Sequence, residues 1–559
     1  MSSERLIFMP LGGAGEIGMN CYVYGYGEPG KERLIVVDLG VAFPDMDTSP
    51  GVDLIMADVA WLEQNRSRIE AIFITHAHED HVGALGHLWP KLRVPVYARV
   101  FTAAIAAMKM EEAGQPSDQI RVVGPHPAVT QAGPFTVQFV PLSHSIPESA
   151  GLVIDTPAGR VVHSGDFKLD GTPVVGEAFD PEEWHRIAKE KGQVRALMCD
   201  STNVFSPNPG RSEASLAEPI SALIAAEDGL VVATTFASNV ARLKTLAEAG
   251  RAAGRSICLL GRAMNKMVTA AQQTGILTNF PAVLTPEQAE EVPRQNLMLI
   301  ATGSQGERRA ATAQLSRGKY LGHELKQGDM FLFSSKVIPG NERDVIRIWN
   351  ALSEKGVKVV DDHGGLYHVS GHANRPDLEA VHDLVQPAML IPMHGEHRHL
   401  SEHARIGNAK GIPSAVVTNG TMISLSGAKP DVVEHVEAGR TYLDGSVLIG
   451  AMDGVIRDRI RMALNGLVVV TVIVDEDDRP LGDAWVEVMG LPEVGVTGKS
   501  LVDQIEADLN EFLENASDKV VADDDKLDEQ MKRIARQVAV EEIGRKPEVI
   551  VVISRLLAE

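Results

Sequence analysis

Long apolar runs are missing from these 559 residues, and without roughly 18 consecutive apolar positions a transmembrane helix is excluded. Cysteine is scarce. Cys21, Cys199 and Cys258 stand far apart and form no C-x-x-C, which excludes a disulfide framework and points to reduced, buried thiols in a cytoplasmic protein. The opening Met1-Ser2-Ser3-Glu4-Arg5-Leu6-Ile7-Phe8 shows neither the apolar core nor the cleavage site of a signal peptide. Positive charge is in deficit, with 53 Lys and Arg against 75 Asp and Glu and a net charge of −22. That balance argues against a generic nucleic-acid coat protein. Aromatic residues make up 5%.

What remains is an ordinary globular composition, 44% hydrophobic and 23% charged. The chain is too long for one core, and roughly two to four domains are expected. Up to about residue 210, short β-type runs alternate with turns and helices: Leu34–Asp38, Ala71–Thr75, Thr136–Val140, Arg160–His163 and Ala196–Cys199. This texture predicts a layered α/β domain. From about 213 helical segments (Ser215–Ala226, Val240–Ala253, Met264–Thr274) alternate with strand-like runs (Leu230–Thr235, Ser256–Leu260, Met298–Ala301), which reads as βαβ units on a parallel sheet. Near 365 the first texture returns in Ala388–Met393 and Ala415–Thr418, as if one domain were inserted into another. After a connector come two strands, two charged helices and a last strand, a small α+β tail.

The densest chemistry lies in Ile72-Phe73-Ile74-Thr75-His76-Ala77-His78-Glu79-Asp80-His81. A buried-strand pattern ends and H-x-H-x-D-H begins at once. Imidazole and carboxylate together suit zinc, manganese or iron. Four such residues exceed what one ion with an open position needs, so two adjacent ions are suggested. A polar turn after a core strand is the rival reading. His144, Asp166 and His394 each follow a strand-like run too, where sites collect in layered α/β folds. Gly13-Ala14-Gly15-Glu16-Ile17-Gly18 fits G-x-G-x-x-G, and Asp38 stands downstream as its acid. The β-type Asn20–Tyr24 follows where a helix is required, so a hairpin loop bordering the metal site is expected instead of a dinucleotide site.

Taken together, H-x-H-x-D-H, His144 and the aspartate of Ser164-Gly165-Asp166 resemble the metallo-β-lactamase superfamily. The insert, with Asp200 in Cys199–Asn203, His372 in His368–His372 and His394 in Pro392–Glu396, resembles its β-CASP branch of nucleases. The opening Leu11–Asn20 and the tail narrow the resemblance to the bacterial ribonuclease J family, over essentially the whole chain. His397 is a departure, at a position where an aromatic is expected. The resemblance implies a four-layer αββα domain in two parts (1–212 and 373–450), a β-CASP α/β insert (213–372), a linker (451–465) and a C-terminal α+β domain (466–559) that serves oligomerisation. A solvated cap on its own sheet is the alternative for the tail's charged helices.

The resemblance also implies roles. His76, His78 and His144 hold one divalent ion, and Asp80, His81 and His394 hold a second, with Asp166 bridging; zinc and manganese both suit this set. Water activated between the ions attacks the phosphate and the 3′ oxygen leaves, so the product carries a 5′-phosphate. His372 stabilises charge or protonates the leaving group. Asp200 orients a histidine or the water, or else caps a helix near Ser201-Thr202. The run His368-Val369-Ser370-Gly371-His372 and the pair Ser238-Asn239 contact substrate phosphate, ordinary capping being the alternative for the pair. His397 and Arg398 help hold a 5′-monophosphate. Asp53 and Asp444 resemble positions for a structural cation such as calcium, or are solvated carboxylates. Single-stranded RNA is the implied substrate, cut both internally and from its 5′ end in RNA processing and decay. Homodimers or homotetramers, and possible partners of an RNA-degradation complex, are implied without a membrane. At this aromatic content stacking is expected to contribute little. A thioesterase or lactamase of the superfamily would lack the insert. An inactive scaffold would have lost ligands, and a DNA-repair relative would usually have valine at position 394.

Overall fold

The computed structural model describes residues 4–338, 340–362 and 364–556. The chain divides into two compact units, residues 1–42 with 55–440, and 43–54 with 441–559.

The first unit contains two facing sheets. One has eight strands, among them Arg5–Gly12, Cys21–Gly27, Arg33–Val37 and Ile69–Phe73; the other has six, Thr130–Ala132, Phe135–Pro141, Ala150–Thr156, Gly159–His163, Ala196–Asp200 and Leu390–Met393 in that order. Alternation along the strands decides the packing. Leu152 and Ile154 join Phe8, Tyr24 and Phe73 between the sheets. Val153 points the other way, onto Trp184, Ile187, Val381 and Ile406 of three covering helices. On the opposite side the helix Val100–Glu112 packs on Val96–Ala98 and Ile120–Val122 of the eight-stranded sheet. This is the expected αββα arrangement. Strand Ala196–Asp200 pairs in parallel with Leu390–Met393, so the sheet closes across the insert. The run Ala415–Thr418, expected as a strand, forms no ladder, although Val417 is buried in the core.

The intervening residues build a six-stranded sheet, Val283–Leu284, Ser256–Leu260, Leu297–Ala301, Val231–Thr234, Met330–Phe333 and Lys358–Val360, with every pairing parallel. A buried ionic chain joins it to the parent sheets. Arg242, fully buried, donates to both oxygens of Glu213 (2.5 and 3.0 Å) and to Ser334 O at 2.8 Å. Glu213 N donates to Asp170 Oδ2 at 2.9 Å, Lys168 Nζ lies 3.1 Å from the same oxygen, and Ser143 Oγ, beside His144, donates to Asp170 O at 2.9 Å.

In the second unit, Leu467–Val474 is flanked by Trp485–Met489 and Glu548–Arg555, and helices Leu501–Asn515 and Asp524–Ile543 share a core with it. The segment 451–465, expected as a linker, is largely helical. It holds the helix Val455–Asn465 between Gly454 and Gly466, two glycines whose positive φ (82° and 77°) an L side chain rarely adopts.

Candidate metal centre

Strands Phe135–Pro141, Gly159–His163, Ala196–Asp200 and Leu390–Met393 all run the same way, because two antiparallel pairings are followed by two parallel ones. Their carboxyl ends therefore share one edge, and His144, Asp166, Asp200 and His394 are delivered there. The loop after Ile69–Phe73 brings His76 and His78, and the short helix Glu79–Val82 brings Asp80 and His81.

Two groups form. His76, His78 and His144 face one another, with ring centroids 4.7–5.1 Å apart. Asp80, His81, Asp166 and His394 form the second. His81 Nε2 is 3.2 Å from Asp166 Oδ2, His394 Nδ1 is 2.6 Å from Asp166 Oδ1, and His394 Nε2 is 3.2 Å from Asp80 Oδ2. Asp166 Oδ2 also lies 3.8 Å from both His76 Nε2 and His144 Nε2, so this carboxylate reaches both groups. Within each group one donor atom per residue lies within 4.8 Å of the others. Ligand atoms on one ion at about 2.1 Å are at most about 4.2 Å apart, so sub-ångström shifts would close either group on a divalent cation. His76 Nε2, buried without a hydrogen-bond partner, fits that use.

The supporting contacts fix which nitrogen faces inward. Gly371 O is 2.6 Å from His144 Nδ1, and a carbonyl only accepts, so Nδ1 carries the proton and Nε2, 3.0 Å from His78 Nδ1, is the unprotonated nitrogen that faces the group. Asp38 Oδ2, 2.8 Å from His81 Nδ1, does the same for His81. Asp38 is in turn held by the amide and hydroxyl of Thr75. Asn20 Nδ2 reaches Asp80 O (3.0 Å) and His81 Nε2 (3.1 Å), with its own oxygen fixed by the Tyr22 hydroxyl. The glycine loop thus borders the centre, and its Ala14–Gly15 pairs with Gly395–Glu396 next to His394. Asp38, Asn20 and the Gly371 carbonyl were not anticipated as parts of the site. For Asp38 the available signal was an aspartate closing the apolar run Leu34–Val37.

Electrostatics separate the two groups. Burial lowers the pKa of His76, His78 and His144, that of His78 to about 4, so all three are neutral and ready to bind an ion. Burial acts the same way on His81 and His394, but Asp166 and Asp80 outweigh it and raise both, His394 to about 10. Asp166, despite burial, is held well below the usual carboxylate range by His394 and His81.

His372 stands between the groups, its ring centroid 4.9 Å from that of His144 and 5.8 Å from that of His394. Its Nδ1 is 2.8 Å from Asp200 Oδ2. Burial would lower its pKa, but Asp200 reverses the shift to a net increase. The other Asp200 oxygen accepts from Thr202 N and Oγ1, a tight turn with no helix following.

The remaining candidates are placed less closely. Asn239 Oδ1 caps the helix Val240–Ala252 by accepting from Arg242 N at 3.0 Å, which is the capping alternative, and Ser238 precedes it half-buried. Arg242 Nη1 in turn lies 3.4 Å from His368 Nδ1, tying that helix to the His368–His372 run. Within the run Val369 is buried, and Ser370 Oγ accepts from Asn203 Nδ2 and from His372 N. His397 and Arg398 open the helix His397–Ala409, directly after the His394 turn. Asp53 accepts from Gly445 N, and Asp444 pairs with Arg459 at 2.7 Å. Among the described residues, neither aspartate belongs to a group of three ligand-type side chains. Cys199, His382 and His403 do form such a group. There His382 Nε2 and His403 Nε2 lie 3.0 Å apart, hydrogen-bonded with nearly parallel planes (16°), and His403 Nδ1 is 2.9 Å from Ser201 Oγ.

Four family models match the chain: metallo-beta-lactamase superfamily (residues 14–197), ribonuclease J beta-CASP domain (228–352), Zn-dependent metallo-hydrolase RNA specificity domain (366–417) and ribonuclease J C-terminal domain (454–556). Ribonuclease J of Sinorhizobium meliloti is 40% identical over 99% of this chain and 98% of its own length. Ribonuclease J of Mycolicibacterium smegmatis is 33% identical over 97% and 95%, and that of Helicobacter pylori 29% over 98% and 79%. A crystal structure of a protein of unknown function from Enterococcus faecalis V583 shares the fold at a TM-score of 0.50 and 17% identity, covering 75% of this chain and all of that one.

Proposed function

This chain belongs to the ribonuclease J family of metal-dependent ribonucleases, and we propose that it removes nucleotides from the 5′ end of 5′-monophosphorylated single-stranded RNA and also cuts RNA internally, leaving 5′-phosphate products. The observation that carries the reading is the pair of His/Asp groups reached by one carboxylate, Asp166, on the strand edge beside the insert. His76, His78 and His144 would hold one ion, Asp80, His81 and His394 the other, with Asp166 between them. Zinc and manganese both suit these donors. Bound there, divalent cations supply charge to the phosphate under attack and lower the pKa of water toward neutrality.

The chain's own groups do the rest. Asp38 and the Gly371 carbonyl keep the Nε2 atoms of His81 and His144 turned inward. Asp200 holds His372 by Nδ1 and favours the imidazolium, so the opposite ring nitrogen can give its proton to the departing 3′ oxygen. Asp200 is therefore a positioning residue. The run His368–His372 is the proposed contact for substrate phosphate, and His397 and Arg398 assist at the 5′ end. We assign the insert to 213–372 and oligomerisation, as dimer or tetramer, to 466–559, whose sheet leaves Trp485, Met489, Ile550 and Val552 exposed.

The test uses one RNA with either a 5′-monophosphate or a 5′-triphosphate, with manganese. Mononucleotide release from the monophosphate form alone is expected; internal fragments from both would make endonucleolysis dominant, and no cleavage at all would remove the nuclease reading. His372→Ala is expected to lower kcat about 10²- to 10⁴-fold. Asp200→Asn is expected to cost about ten- to a hundredfold and to move the alkaline limb of the pH profile to lower pH, since the carboxylate that raises His372 is gone.

Metal uptake gives an independent prediction. His78 is neutral above about pH 4, so filling the histidine group at pH 7 releases no proton. His394, raised to about 10, is charged at pH 7 and must lose its proton, so affinity of the second group rises with pH, about tenfold per unit per proton displaced. Calorimetric manganese titrations in buffers of different ionisation enthalpy would count these protons. Equal, near-zero release for both equivalents would contradict the assignment.

A further inference from the structure

In a chain poor in aromatics, one ring is displayed beside the metal centre. Phe205 lies on the loop leaving the strand Ala196–Asp200, a few residues past Asp200, and is 48% exposed. That loop is pinned on both sides of it. Val204 is fully buried with Trp184 and Leu378. Asn203 Nδ2 donates to Ser370 Oγ (2.7 Å) and Asn374 Oδ1 (3.0 Å), and Arg375 N donates to Ser206 O (3.1 Å). The outward ring is therefore held in place by its backbone.

Two residues from the first turn of the helix His397–Ala409 frame it. The His399 ring, 8% exposed, packs against it at a tilt of 57° with 5.3 Å between centroids. The Arg398 guanidinium carbon sits 5.0 Å from the ring centroid. Arg398 is 71% exposed along its side chain, and its ionic neighbour Glu396 is 3.6 Å away and also exposed, a weak restraint. A planar cation lying on a fixed aromatic face, open to solvent, offers π surface and positive charge together. The loop leads from Asp200 and the helix follows His394 closely, so the pair bridges two segments that carry the centre.

We propose that Phe205 and Arg398 form a stacking platform for a nucleobase of single-stranded RNA flanking the scissile phosphate, an inference that rests on the ribonuclease reading. The base lies against the Phe205–Arg398 pair, and the guanidinium remains within reach of the adjoining phosphate. Every base has a π face, so the platform tolerates any sequence. Purines, with the larger face, are held more tightly than pyrimidines.

The probe is a short 5′-monophosphorylated oligoadenylate with manganese. Phe205→Leu keeps the apolar bulk and loses the π face; its KM is expected to rise about tenfold, with the loss falling on KM rather than kcat. Phe205→Tyr should restore KM. Phe205→Trp should add fluorescence that oligoadenylate quenches and an abasic strand of equal length does not, read as a difference against the five native tryptophans. Equal KM for wild type and Phe205→Leu, or an unquenched Phe205→Trp, overturns the platform while leaving the ribonuclease reading intact. Failure of the wild type to cut any RNA would instead remove that reading. If Phe205→Leu does not fold, the tyrosine and tryptophan variants decide alone.

Discussion

Asp166→Ala is expected to abolish RNA cleavage, by about a thousandfold or more, and to lower the bound metal from two ions per chain. Each part follows from position. The carboxylate lies 3.2 Å from His81, 2.6 Å from His394, and 3.8 Å from both His76 and His144. Removing it leaves two histidines, raised in pKa chiefly by this aspartate, without the charge that balances them. Charge stabilisation by cations in such sites is worth several kcal/mol, and about 1.4 kcal/mol is tenfold in rate. Metal content by mass spectrometry and single-turnover cleavage measure the two parts. A variant that keeps both ions and cleaves within tenfold of wild type would refute the bridging role.

Gly40→Ala is expected to be nearly as severe with no ligand touched. A Cβ there would lie 1.6 Å from Asp80 O and 2.7 Å from His81 N, both backbone atoms that cannot rotate away. The amide of Gly40 is also fixed, donating to Asn20 O at 3.0 Å. Relief requires moving the Glu79–Val82 turn and with it Asp80 and His81. Overpacking of this kind costs about 1–3 kcal/mol or more in stability. In function the cost is expected to be larger, about a hundredfold in cleavage, because a 1 Å displacement spoils positioning. Thermal unfolding with and without manganese would separate the two: the metal-induced rise in Tm should shrink sharply. An unchanged rise would show that the turn tolerates the methyl group.

Both substitutions mark how far the sequence could be read. Strands such as Ala196–Asp200 and Leu467–Val474 announce themselves by apolar runs, and a ligand-type residue at a strand end is a local signal. His76, His78, Asp80 and His81 are close in sequence, so their convergence was legible. His144 and Gly371 meet across 227 residues, and His81 and Asp38 across 43. No local pattern encodes such pairings, which is why Asp38 was noticed only as the nominal acid of a dinucleotide fingerprint. Asp200 shows the limit differently: one of its oxygens holds His372 and the other makes a turn with Thr202 that no helix follows, so the helix-capping alternative is not realised. The helix Val455–Asn465 occupies the segment expected as a linker, and none of its residues is buried.

The ionic chain from Lys168 through Asp170 and Glu213 to Arg242 bears on how the molecule breathes. Separating a buried charge from its partner costs about 3–5 kcal/mol. A swing of the insert that pulled Glu213 from Asp170 and Lys168 would leave buried charge without its partners, and about 3 kcal/mol leaves fewer than one molecule in about a hundred in the swung state. The insert and the metal-bearing strands therefore spend nearly all their time as one body.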